Sequence, residues 1–148
     1  MEALREPGMI HVKAMCIITH KGRVLATKGL DEIKGESFFR LIGGGVHFQE
    51  LAHDALKREV REELETELGN IAFLQVIENI FVHRDEPGHE VIFLFSADMV
   101  RKELYEKEEI HIADHLSVVA VWVPFADILS GAARLYPATD YTKYLVPL

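Results

Sequence analysis

Cysteine is nearly absent from this chain: Cys16 is the only one in 148 residues. An internal disulfide framework is therefore excluded, and a reducing, cytoplasmic setting is the default expectation. Long apolar runs are missing as well, since no stretch reaches the roughly 18 residues of a membrane span. The N-terminal MEALREPGM is acidic and has no apolar core region, so it does not read as a secretory signal. Residues 1–8 read as a loose leader ended by Pro7-Gly8. Positive charge is scarce: 16 Lys and Arg face 24 Asp and Glu, for a formal charge of −8. That balance argues against a general nucleic-acid binder or an anionic-membrane binder. It leaves room for a phosphate-bearing small molecule wherever a metal ion supplies the positive charge. Internal repeats, low-complexity tracts, linkers and a serine-centred nucleophile elbow are all lacking. The length fits one domain, residues 1–148, with a substantial core.

What the chain does have is a regular run of elements. Residues 9–19 are rich in β-branched and apolar side chains and read as a strand. His20-Lys21-Gly22 fits a tight turn into a second strand over 23–28, followed by a polar loop over 29–36. SFFRLI (37–42) reads as a short strand that runs into a glycine loop, Gly43-Gly44-Gly45. A helix follows from near Glu50 or Leu51 to about Leu68, stopped by Gly69-Asn70. Two long strands, 71–83 and 89–99, form a hairpin through Asp85-Glu86-Pro87-Gly88. The charged stretch 100–115 reads as a loop or short helix, 117–123 as a strand, and Pro124 as the start of a short helix through Leu129. Residues 131–148 read as irregular or weakly helical. This order implies a mixed, largely antiparallel sheet covered by helices on both faces, an α/β/α sandwich.

The helix carries the strongest chemical signal. At about 100° per residue, Ala52, Leu56, Val60 and Leu64 form an apolar stripe. Asp54, Lys57, Arg61 and Glu65 fall on the solvent side. Glu63 lies inside the stripe, Glu59 at its edge, and Glu62 on the other flank of Glu59. Bunched carboxylates repel one another, and a half-buried one is costly unless paired. A divalent cation would remove both costs. An ordinary charged helix explains Lys57, Arg61, Glu65 and the Arg58–Glu62 pair, but not Glu63. Consecutive glycines just before a helix let backbone groups approach phosphate oxygens or a metal.

Gly44, Glu50, Arg58-Glu59-Val60 and Glu62-Glu63 keep the spacing of the signature of the Nudix hydrolases, which the chain resembles. The pattern departs at Glu65 and Thr66, where the family carries a glycine and an aliphatic residue, a change read here as a longer helix. Ile42 stands where proline is frequent, and His47 where glutamate is frequent. The resemblance implies that Glu59, Glu62, Glu63 and the Gly43 carbonyl hold Mg²⁺ or Mn²⁺, hard cations that favour oxygen ligands. Arg58 would orient the acids and Glu50 the helix entry. Gly44, Gly45 and His47 are candidates to touch the substrate. The implied reaction is metal-dependent water attack on a pyrophosphate bond. The substrate would be a nucleoside diphosphate linked to another group, or a nucleoside triphosphate.

Two carboxylates compete for the general base, Glu62 on the helix and Glu90 at the opening of the second hairpin strand. Glu90 read as a solvated strand-start acid is about as good a description. Glu108 and Glu109 are weaker candidates. His111 and His115 have the four-residue spacing of a zinc pair but no evident third ligand. His83 and His89 flank the hairpin turn and are candidates to face each other. Phe38, Phe39, Phe48, Phe81, Trp122 and Tyr136 are candidates to stack a base, although strand aromatics are usually core. A nucleotide-binding or sensing module without turnover is the alternative function, a protein-partner domain with acids serving solubility a third, and a homodimer a possible assembly.

Overall fold

A computed structural model describes residues 8–146. The expected leader therefore lies almost wholly outside the described residues. The elements are β1 (His11–Ile17), β2 (Thr19–His20), β3 (Arg23–Asp31), β4 (Glu36–Gly45), α1 (Ala52–Leu64), β5 (Leu68–His83) and β6 (Glu86–Met99). A 3₁₀ turn (Lys102–Glu106) precedes β7 (Glu109–His111), β8 (Val119–Pro124), α2 (Phe125–Ser130) and β9 (Leu135–Tyr136). The strands lie in the order β5-β6-β1-β4-β3-β8-β7, with β2 on β3 and β9 on β4. β1 pairs parallel with β6, and β9 parallel with β4; the other pairings are antiparallel. The sheet is mixed, as its sequence order implied.

Alternation along β1 shows how the layers form. Ala14, Cys16 and Ile18 point into one core with Ala55, Leu56, Val60 and Leu64 of α1. Met15 and Ile17 point into the other, with Phe125 at the start of α2 and with Tyr141 and Leu145 of the C-terminal segment. A strand buried on both faces needs a near-continuous apolar run, which residues 14–18 supply. Helical layers on opposite faces complete the α/β/α sandwich. Tyr141, from the tail, is buried and donates its hydroxyl to the Pro137 carbonyl.

Several element boundaries differ from the sequence reading. The three glycines are the last residues of β4, opposite Met15, Ala14 and Lys13 of β1, so the connection to α1 is residues 46–51. The expected loop at 29–36 shrinks to a turn, because β3 runs to Asp31 and β4 starts at Glu36. The 71–99 hairpin turns at Arg84-Asp85, both left-handed (φ 52° and 62°), and Pro87 and Gly88 are already paired in β6. A two-residue turn with both φ positive matches strand twist, as it also does at Lys21-Gly22. Here the Arg84 N–H donates to Asp31 (3.0 Å), a bond that offsets the cost of the conformation.

The helix is shorter than expected. It ends at Leu64, and Glu65 takes the left-handed conformation (φ 55°, ψ 40°) with its N–H on the Arg61 carbonyl. The backbone thus stops where a glycine would stop it, but with a side chain that resists the conformation. Thr66 is buried, its hydroxyl donating to the Glu67 carbonyl and accepting from the Arg101 N–H. Those bonds fasten the helix end to the corner after β6. Gly69 and Asn70 belong to β5 rather than to a helix stop. No helix among the described residues is long and apolar enough to cross a membrane.

Candidate functional site

Arg58 is the hub of the site. Its Nε and Nη2 meet the two carboxylate oxygens of Glu50 at 2.9 and 3.0 Å, a bidentate pair. Nη2 also donates to the Gly45 carbonyl at 2.8 Å, and Nη1 to Glu59 Oε1 at 3.0 Å. Glu62 lies farther from Nη1, at 3.5 Å, and is exposed. Glu50 additionally accepts from the His47 N–H at 3.0 Å. The helix entry has no side-chain cap on Leu51, so Glu50 and Arg58 secure the connection from β4. Hydrogen bonds from Arg58 lower the Glu50 carboxyl to about 2, and the carboxylates hold the guanidinium firmly protonated.

Glu59 is the buried acid of the three, 2 % exposed. The sequence wheel placed Glu63 deeper and Glu59 at the edge. Ala55 is fully buried as well, which moves the centre of the stripe onto Glu59 and leaves Glu63 half-buried. Glu59 Oε1 takes the Arg58 bond, while Oε2 is buried with no hydrogen-bond donor among the described residues. The carboxylate packs on Gly44: a Cβ there would lie 2.4 Å from Glu59 Cδ. Gly43 is required for another reason. Its φ is 144°, and a Cβ would meet the Ala14 carbonyl oxygen at 2.1 Å. Glycine is thus needed at both positions, to admit the carboxylate and to bring β4 against β1.

Gly43 and Glu63 line a common cavity with Arg40, Asp114 and His115. The Ala113 N–H bonds the Glu63 carbonyl at 2.9 Å, which draws the β7–β8 connection over the end of α1. Burial, with Glu63 nearby, pushes the Cys16 thiol far up, so it is an inert core group. Among the described residues, no three acidic, histidine or cysteine side chains converge on one point as around a bound ion. Arg58 instead gathers the carboxylates of Glu50, Glu59 and, more loosely, Glu62.

A second, open-mouthed cavity adjoins the first, and Arg40 lines both. Glu90 lies in its wall, 2 % exposed and facing Arg40 at 3.5 Å and Lys13 at 3.9 Å. It is therefore a buried, ion-paired carboxylate. Asp31 closes one end. It accepts from the Ile33, Lys34 and Arg84 N–H groups at 3.0–3.1 Å and lies 3.7 Å from His83. These bonds, Arg84 first, hold its carboxyl below the usual range and tie the tips of two hairpins together. Phe38 meets His83 and Tyr136 edge-on.

The other sequence candidates separate clearly. Phe38, Phe81 and Tyr136 line the second cavity; Trp122 is in the α1-side core, Phe39 packs against the other core, and Phe48 is 92 % exposed. His47 is exposed, 4.0 Å from Glu50. His111 and His115 go their own ways, to the Leu116 carbonyl and to Ser117. His83 and His89 do not face each other, because the register sets them opposite Glu86 and Ile80. Glu109 begins β7 and is exposed, as is Glu108. Sequence reading passed over Lys13, Asp31, Arg40, Asn79 and Asp114. For three of them the available signal was a polar residue set inside a largely apolar strand: Lys13 in HVKAMCI, Arg40 in SFFRLI and Asn79 in VIENIFV.

The arrangement of β1, β4 and α1 around a glycine-lined carboxylate site defines a class. Residues 9–142 match the NUDIX domain model, and the chain belongs to that family of hydrolases acting on acid anhydrides. It is similar to a MutT NUDIX hydrolase from Burkholderia pseudomallei, at 22 % identity and a TM-score of 0.61, covering 93 % of this chain and 95 % of that one. It is also similar to a NUDIX hydrolase from Nitrosomonas europaea, at 15 % identity and a TM-score of 0.60, covering 95 % and 86 %. An ADP compounds hydrolase aligns at 14 % identity and a TM-score of 0.54, over 81 % of this chain and 62 % of that one. At these identities the solved structures speak to the fold alone. No curated protein sequence matches the chain.

Proposed function

We propose that the chain, as one domain over residues 1–148, hydrolyses the pyrophosphate bond of a nucleoside diphosphate linked to another group, or of a nucleoside triphosphate. Glu59 carries this reading: a buried carboxylate with one oxygen on Arg58 and the other, Oε2, without a donor among the described residues. Leaving a buried acceptor unsatisfied costs about 1–3 kcal/mol, more when charged. The donors nearby are hard oxygens, so the site fits Mg²⁺ or Mn²⁺.

Glu59, Glu62, Glu63 and the Gly43 carbonyl would hold the cation. When bound, such an ion neutralises phosphate charge and makes a bound water acidic enough to attack phosphorus. Arg58 sets the rotamers of Glu59 and Glu62, and Glu50 fixes Arg58. Gly44, Gly45 and the exposed His47 line the approach to the phosphates. Glu62 takes the proton from the attacking water. It is preferred to Glu90 because it is exposed on α1 beside Glu59 and Glu63, whereas Glu90 is buried and ion-paired with Lys13 and Arg40. Glu90 then positions Arg40 and Lys13. The lone buried thiol accords with a cytoplasmic location.

The test is product release from a panel of nucleotides with Mg²⁺ or Mn²⁺. Glu62→Gln and Glu63→Gln should each lose most of the rate, while Glu65→Gln keeps it. Full rate in Glu63→Gln would overturn the carboxylate assignment. Tight nucleotide binding with no product on long incubation would establish a sensing module instead.

A further inference from the structure

α1 covers only part of the sheet. Ala14 and Cys16 of β1 and Phe95, Ala97 and Met99 of β6 are buried on its side. Toward the N-terminal ends of both strands the same face emerges from under the helix. There Val12 pairs with Val91, and Val91 with Glu78 of the outermost strand, β5. On that strand Phe73, Val76, Ile80 and Val82 share the face and are 47–76 % exposed. Val12 is 38 % exposed.

An antiparallel hairpin with one solvated face alternates apolar and polar residues. The β5–β6 hairpin does not. VIFLF (91–95) is apolar on both faces, and the outward positions of VIENIFV (76–82) are Val76, Glu78, Ile80 and Val82. Glu78 is the one formal charge among these outward residues, in a chain of charge −8. The Val46 N–H donates to the Val12 carbonyl at 2.9 Å, which brings the 46–51 connection, with its exposed Phe48, alongside the face.

We propose that this face is the interface of a two-fold homodimer, sheet packed on sheet, with Phe73, Val76, Ile80 and Val82 of each copy buried against the other. The area fits. Val12, Phe48 and the four β5 side chains, at roughly 80 Å² each, present on the order of 500 Å² of apolar surface. A homodimer interface is about 65 % apolar, so this corresponds to about 800 Å², which is what one partner brings to a stable interface. The composition points to a second copy as the occupant. Interfaces with transient partners are about as polar as the rest of a surface, whereas homodimer interfaces are depleted of charge. Two copies of an acidic chain also meet with least repulsion through a neutral patch, and a two-fold axis uses the same patch on both. The 46–51 connection, which carries His47 and Glu50, then borders the interface and sets the second copy beside each site. Association of this kind is independent of the hydrolytic activity.

The experiment is sedimentation equilibrium of the full chain across the micromolar range, for wild type and three variants. Wild type should have the mass of a dimer. Ile80→Glu places a charge on the face at a position already in water, so the monomer keeps its fold, which a melting curve verifies. It should raise the dimer dissociation constant about tenfold or more, and Val76→Glu should do the same. Leu129→Glu, on α2 in the opposite layer and 40 % exposed, should leave the dimer intact. A monomeric wild type at every concentration would overturn the proposal. So would a dimer that neither Ile80→Glu nor Val76→Glu weakens, or one that Leu129→Glu weakens as much as they do.

Discussion

Glu50→Gln removes one charge from the Arg58 hub while keeping the side chain's shape. The folded carboxyl titrates at about 2 rather than 4.5. At about 1.4 kcal/mol per unit, that difference sets a ceiling of about 3 kcal/mol on the stability it contributes. Glu50 is 18 % exposed, so water at its rim reduces the figure to about 1–2 kcal/mol. A loss of that size lowers the melting temperature by about 3–8 °C in a domain of this length. The sign follows from the depressed value. The contribution is present above the unfolded carboxyl's value, and it fades as pH falls from there toward the folded value near 2. Urea denaturation of both proteins across the acid range provides the assay. The gap should be full at neutral pH and shrink below about 4.5. A gap that stays constant from neutral to acid, or no gap at neutral pH, would refute the bidentate ion pair as its source.

Three further outcomes follow from the geometry. Glu65→Gly should raise stability by about 0.5–1 kcal/mol, because it relieves a left-handed non-glycine residue at some entropic cost; a higher urea midpoint at unchanged slope is the readout. Gly44→Ala should displace Glu59, destabilise by about 1–3 kcal/mol as overpacking does, and weaken Mn²⁺ binding in calorimetry; unchanged Mn²⁺ affinity would argue against Glu59 as a ligand. Asp31→Ala should speed hydrogen exchange at the Ile33, Lys34 and Arg84 amides. In wild type that protection should persist above the ordinary carboxyl range and be lost as pH falls through the lowered folded value, which exchange measured against pH will check.

Local chemistry was legible in the sequence. Spacing from Gly44 to Glu63 and the β-branched, apolar run over residues 9–19 depend on neighbours a few residues apart, and both led to the correct fold. The misplaced boundaries share a physical reason. Glu65 ends α1 although its type resists the conformation, because Thr66 and the Glu65 carbonyl are fastened to Arg101, far along the chain. Arg84-Asp85 displaces Pro87-Gly88 as the turn because Asp31 supplies an acceptor from another hairpin. The Lys13–Glu90–Arg40 cluster joins three strands. Tertiary contacts of this kind have no periodic signature.

The most direct test of the account is product analysis with a divalent cation, comparing wild type with Glu59→Gln. Glu59 is the buried carboxylate on which the reading rests. Wild type should release a cleaved nucleotide only when Mg²⁺ or Mn²⁺ is present, and Glu59→Gln should lose about 100-fold or more of that rate. Cleavage by Glu59→Gln at the wild-type rate, or none by wild type despite saturating nucleotide and metal, would contradict it.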